Sequence, residues 1–168
     1  MDRRALNDQR LAGLHPMFAA RVSSFLAAME VRGFRLLITQ GLRTWAEQDA
    51  LYAQGRTAPG KIVTQAPGGH SHHNFGLAID VCPFEPGSET LLDWNEKHPV
   101  WQQVLAAAPS FWLAEGAKWR TFPDTPHLYP VEIPATTEEL RAHYLAGGMD
   151  EVNRWFESLV RQEKGATP

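Results

Sequence analysis

The chain has one cysteine, Cys82, among 168 residues, so no internal disulfide can form and stability cannot depend on an oxidising compartment. No run approaches the ~20 apolar residues of a membrane span. The first ten residues are polar and lack the apolar core of a signal peptide, which predicts synthesis and folding in a cytoplasm. There is no long basic run, and the formal net charge of −3 counts against a dedicated nucleic-acid binder. Internal repeats, low-complexity tracts and linkers are also missing. What remains is an ordinary globular composition, 43% hydrophobic and 21% charged, sized for one domain with a real core. Tryptophan is plentiful, with six residues; most are expected in the core, Trp112 and Trp119 included, with room for one or two lining a cleft.

His15-Pro16 opens a helical pattern in which Phe18, Val22, Phe25, Leu26 and Met29 recur at helical spacing, with Gly33 as the stop. Phe34 to Thr39 reads as a buried strand. Thr44-x-x-Glu47 resembles a capping box for a helix to about Ala53, ended by Gly55. Lys61 to Thr64 reads as a short extended piece. A helix is expected from Pro99, and one or two strands between Phe111 and Trp119. Thr121 to Pro130 is proline-rich and reads as irregular. Thr136-x-x-Glu139 looks like a second capping box, for a short helix to about Leu145. Gly147-Gly148 then separates it from a last helix carrying Val152, Trp155, Phe156, Leu159 and Val160 on one stripe. Residues 162–168 are expected to fray. Helices and short strands without a βαβ rhythm predict an α+β fold with a small antiparallel sheet flanked by helices.

The chemistry concentrates between Gly69 and Val81, where three histidines and a carboxylate surround a glycine. His73 and Asp80 are seven positions apart. Extended, that span is roughly 23 Å; on a helix it is about 10 Å. Neither brings two donors to one ion, so the chain must fold back, and Gly76 stands where positive φ is needed. Leu77 to Val81, bounded by Pro83, suits a buried strand, where a carboxylate is costly unless paired or bound to metal. The stretch therefore reads as part of a zinc site. A catalytic zinc takes three protein ligands and keeps one position open. Candidates for the rest of the set are His127, His15, His98, His143, His70, His72 and Cys82. Among them His127 stands out, on a proline-stiffened segment that returns Asp124 to its own side. His15 and His98 each precede a proline at a helix start and read as structural, His70 and His72 as loop or supporting residues, His143 as solvent-exposed, and Cys82 as a buried inert thiol.

Ser71-x-His73-x-x-Gly76-x-Ala78-x-Asp80 matches every defined position of the first zinc motif, S-x-H-x-x-G-x-A-x-D, of the D-alanyl-D-alanine carboxypeptidase/L-alanyl-D-glutamate endopeptidase metallopeptidases, the LAS group. Its register selects His73 over His72. Trp119-x-x-Phe122-x-Asp124-x-Pro126-His127 resembles the second motif, where a carboxylate three residues before the last histidine ligand is the catalytic base. The resemblance covers roughly residues 10–130. It implies zinc held by His73, Asp80 and His127, Asp124 as base, Arg43 for developing oxyanion charge or a substrate carboxylate, and Ser71 and Gln48 as substrate-binding residues. It further implies a single LAS-type peptidase domain, with residues 131–168 as a helical extension.

Two departures fall beside the second motif. Relatives of the endolysin type often carry Gly-Gly-Asp-Trp where this chain has Gly116-Ala117-Lys118-Trp119, and Phe-Glu where it has Leu128-Tyr129. By resemblance the expected activity is cleavage of the peptide stems of bacterial peptidoglycan, first as an L-alanyl-D-glutamate endopeptidase acting as an endolysin. The alternatives are a D,D-carboxypeptidase or D,D-dipeptidase and, from another class, a zinc-stabilised wall-binding module without turnover. A monomer that acts on the wall after release completes the expectation.

Overall fold

A computed structural model describes residues 2–165. Five helices, α1 (Arg3–Leu11), α2 (Pro16–Val31), α3 (Trp45–Ala53), α4 (Pro99–Ala107) and α5 (Glu138–Gly165), surround a sheet of four strands, β1 (Leu36–Gln40), β2 (Ile79–Pro83), β3 (Leu113–Glu115) and β4 (His127–Pro130). The order is β1-β2-β4-β3 and every pairing is antiparallel.

Helix α2 forms because its sequence offers one continuous apolar stripe. Phe18, Val22, Phe25 and Met29 are fully buried at helical spacing, and each such burial stabilises by about 1.5–3 kcal/mol. Its start is capped by His15, whose Nδ1 accepts from the Met17 N–H at 3.2 Å, ahead of Pro16 at the first turn. The Thr44–Glu47 capping box opens α3 as expected. On α5, Gly147 and Gly148 leave helical geometry, and Val152, Phe156 and Val160 pack into the same core as α2 and the sheet. Ile133 and Leu140 join that cluster, so the segment after residue 130 shares the core of what precedes it.

The structure departs from sequence expectation in several places. Helix α1 was not anticipated, because its residues are mostly polar. It docks through Asn7, whose amide donates to Leu36 O at 3.1 Å and accepts from Ile38 N at 2.8 Å. Residues 61–64 form no regular strand, whereas β3 supplies a strand between Phe111 and Trp119 as expected. The expected irregular segment 121–130 ends in β4, because the four residues from His127 pair with both β2 and β3. Thr137, not Thr136, directly precedes α5. His143 is half-buried and stacked on Trp155 at 4.9 Å rather than free in solvent. Trp101 is core, but Trp112 is 47% exposed and Trp119 is only partly buried. Part of the segment expected to fray lies outside the described residues.

Candidate metal centre

The seven-residue gap between His73 and Asp80 closes through a short 3-10 turn, His72–Phe75, capped by Gly76 at φ 64° and ψ 25°. A side chain on Gly76 would be strained by that φ and would also press on Gly13 O at 3.1 Å. Beyond it the chain enters β2. There Asp80 sits directly opposite His127 of β4 in the sheet register, so two donors arrive as a cross-strand pair. The turn delivers the third.

His73 Nε2 lies 3.1 Å from Asp80 Oδ1, and His127 Nδ1 lies 3.2 Å from the same oxygen. All three donor atoms fall within 4.8 Å of one another. Tetrahedral zinc with ~2.0–2.1 Å bonds spaces its ligands by about 3.3 Å. The hydrogen bonding supplies a sharper test. His73 Nδ1 is 2.8 Å from Gly41 O, and a carbonyl only accepts, so Nδ1 carries the proton. In neutral His73, Nε2 is then a lone pair facing a carboxylate oxygen. Two acceptors at 3.1 Å require a proton or a cation between them, and the arrangement of ligand nitrogen, backbone carbonyl behind it and carboxylate beside it fits a bound metal ion. His127 turns its Nδ1 toward Asp80, and its buried Nε2 has no hydrogen-bond partner among the described residues.

Electrostatics agree with that geometry. Burial pushes the Asp80 carboxyl upward, but His73 and His127 outweigh it and hold it well below the usual carboxylate range. Burial pushes His127 below the ordinary imidazole value, against the pull of Asp80, the direction that favours a metal ligand. Asp124 is raised, first by burial and then by the charge of Asp80. Cys82 is buried and its thiol is pushed up to about 12, chiefly by burial, so it stays protonated and inert.

A cavity of about 530 Å³ opens over the cluster. Arg43, Ser71, Asp80, Asp124 and His127 line it, as do Trp119, Phe122 and the segment Ala135 to Glu138. Arg43 Nη2 is 3.9 Å from Asp80 Oδ2, and its backbone N–H donates to His73 O at 3.0 Å. Gln48 is fully buried, and its amide accepts from Arg43 Nη1 at 2.8 Å and donates to Ala66 O at 2.8 Å. It is not among the residues lining the cavity, and its bond to Arg43 orients that side chain. His72 is buried beside the site. His70 is exposed on the rim, while His15 and His98 serve helix starts elsewhere.

Sequence reasoning missed several contributors. Asn74 donates to Arg43 O at 3.0 Å and accepts from Gly69 N at 3.0 Å, binding the loop to the arginine strand end. Gly116 O accepts from Asp124 N at 3.1 Å. A Cβ on Gly116 would stand 2.7 Å from Asp124 O and 2.9 Å from His127 Cβ. The glycine spacing around residue 116 was the one available signal. Nothing in the sequence marked the Gly41 carbonyl or the wall at residues 135–138.

The family model for VanY, D-alanyl-D-alanine carboxypeptidase, matches residues 12–118. The chain belongs to this family. Among curated family relatives, the peptidoglycan L-alanyl-D-glutamate endopeptidase CwlK of Bacillus subtilis (strain 168) is 38% identical over 131 residues, spanning 74% of this chain and 78% of its own. The L-Ala D-Glu endopeptidase ChiX of Serratia marcescens shares the fold at a TM-score of 0.52 and 20% identity, over 75% of this chain and 86% of its own. A vancomycin-resistance D,D-pentapeptidase VanY, solved in complex with Zn(II), does so at 0.50 and 17% identity, over 80% of each chain. The α+β architecture with a small antiparallel sheet is thus the VanY-family fold anticipated from the two motifs.

Proposed function

We propose that this chain is a single-domain, zinc-dependent peptidase that hydrolyses the peptide stems of bacterial peptidoglycan, cutting the bond between L-alanine and D-glutamate. The observation that carries the reading is the meeting of His73, Asp80 and His127 within 4.8 Å, on a cavity that also presents Asp124 and Arg43. The choice of bond is supported by CwlK, the 38% identical relative with that activity. No helix among the described residues is long and apolar enough to cross a membrane, which suits an agent that reaches the wall from solution. A monomeric endolysin role is part of the same proposal.

His73, Asp80 and His127 would hold the zinc, which when bound polarises a carbonyl and acidifies water. Asp124, raised by burial and by Asp80, would take the proton of the attacking water and hand it to the leaving amine. Arg43, oriented by Gln48, would meet oxyanion charge or a substrate carboxylate with a two-pronged donor. Ser71, on the cavity wall, would hydrogen-bond the substrate backbone.

A D,D-carboxypeptidase is the second reading, favoured by the description of the matching family model. Digestion of purified peptidoglycan with mass analysis of the fragments separates the two. New amino-terminal D-Glu supports the endopeptidase; free D-alanine as the sole product supports the carboxypeptidase; no fragment at all leaves the wall-binding module.

A further inference from the structure

The metal chemistry leaves two aromatic side chains packed near His127 without an assigned role. His72 is 2% exposed and Tyr129 is 7% exposed. Their rings lie parallel, 4.7 Å apart with an interplanar angle of 5°. His72 Nε2 is 3.0 Å from Pro134 O, and since the carbonyl accepts, the histidine donates. At the other end Trp119 Nε1 donates to Tyr129 Oη at 3.3 Å. Pro134 immediately precedes Ala135 to Glu138, and both that segment and Trp119 line the cavity. The four residues make one continuous connection between these two lining segments. Both central positions lie outside the defined positions of the zinc motif, and Tyr129 stands where endolysin-type relatives often carry glutamate.

We propose that His72 and Tyr129 are positioning residues that brace two segments lining the substrate cavity, Trp119 and residues 135–138, against one another, and so set how tightly a stem peptide is held. The claim that they govern substrate rests on the peptidase reading; the brace itself does not. The stack supplies the rigid middle, since two parallel rings resist shear better than one flexible side chain. The two terminal hydrogen bonds transmit that rigidity. The donors differ in kind, so each can be removed separately.

The test compares His72→Phe, which keeps a stacking ring and loses the donor, with His72→Gln, which restores a donor without the ring, and Tyr129→Phe, which removes only the hydroxyl. A soluble L-alanyl-γ-D-glutamyl stem peptide is the substrate, and zinc content and melting temperature are measured on each protein. Losing one hydrogen bond should raise KM roughly three- to tenfold in His72→Phe and Tyr129→Phe. kcat should stay within about twofold and zinc at wild-type stoichiometry, and His72→Gln should recover part of the KM loss. Hydrogen exchange across residues 130–141 should quicken by a similar factor in His72→Phe. Unchanged KM together with unchanged exchange overturns the brace, as does a loss confined to kcat accompanied by lost zinc, which would put His72 to work through the metal. If the wild type cleaves no stem peptide, the peptidase reading fails, and the exchange measurement still decides the brace.

Discussion

Replacing Gly116 by alanine probes the centre without substituting a proposed ligand or the proposed base. The new methyl would stand 2.7 Å from Asp124 O and 2.9 Å from His127 Cβ, against 3.4 Å for the near edge of ordinary contact. Neither obstacle is the free end of a side chain, so relief requires the loop to retreat by about 0.7 Å. That loop carries the proposed base and one proposed ligand together. Overpacking of this kind costs about 1–3 kcal/mol, a fall of about 2–12 °C in melting temperature for a domain of this size. The functional loss should be larger in proportion, because about 1 Å of misplacement costs on the order of 10²-fold in rate. The expected result is a ten- to hundredfold drop in kcat/KM on a stem peptide, with weaker zinc binding by competition against a chromogenic chelator. Val22→Ala is the control. Val22 is fully buried on α2 and does not line the cavity, so a loss of about 2 kcal/mol there should lower the melting temperature and leave kcat alone. Gly116→Ala protein with wild-type turnover and zinc affinity would refute the idea that this contact fixes the catalytic loop.

Three further outcomes are expected. Asp124→Asn should lower kcat by about 10²–10⁴-fold while metal analysis still finds stoichiometric zinc; joint loss of both would make Asp124 a ligand instead of a base. His127→Ala should abolish tight zinc binding, and with it the stabilisation by added zinc, about 4 kcal/mol at a thousandfold excess over Kd, that calorimetry should record for the wild type. His15 folds neutral, its pKa lowered from 6.5 by burial against the opposing charge of Glu157, and its Nδ1 must stay unprotonated to cap α2. Below pH 6.5 the unfolded chain takes up that proton and the folded chain resists, so stability falls with falling pH down to the lowered value, by at most about 1.4 kcal/mol per unit. His15→Asn keeps a cap without the titration, and its melting temperature should depend less steeply on pH across that window; an unchanged slope would remove His15 from the account.

The chemistry was legible because its residues announce themselves locally. Ser71 to Asp80 is one unbroken motif, and the bend it required falls at Gly76 where a positive φ was anticipated. The helices with continuous stripes, α2 and the second half of α5, were legible for the same reason. What escaped reading was non-local. The pairing of Asp80 with His127 belongs to sheet register across a separation of 47 residues, and Pro126 and Pro130 disguised a four-residue strand as an irregular loop. Gln48 was expected at the substrate by resemblance alone, and its burial and its bond to Arg43 appear only in the structure. The wall at residues 135–138 and the Gly41 carbonyl carry no side-chain signature at all. Polar α1 hid because its docking depends on one asparagine.

That asparagine has a consequence for the protein in company. β1 is a boundary strand of the sheet, and boundary strands invite recruitment by a neighbouring chain. By occupying Leu36 O and Ile38 N with a single carboxamide, Asn7 imitates a neighbouring strand for one residue's length from the middle of a helix, whose own backbone cannot extend the sheet. A small sheet that stopped at β1 without this cover would present its own backbone as the start of an aggregate; with it, the ladder is terminated by design of its own side chain.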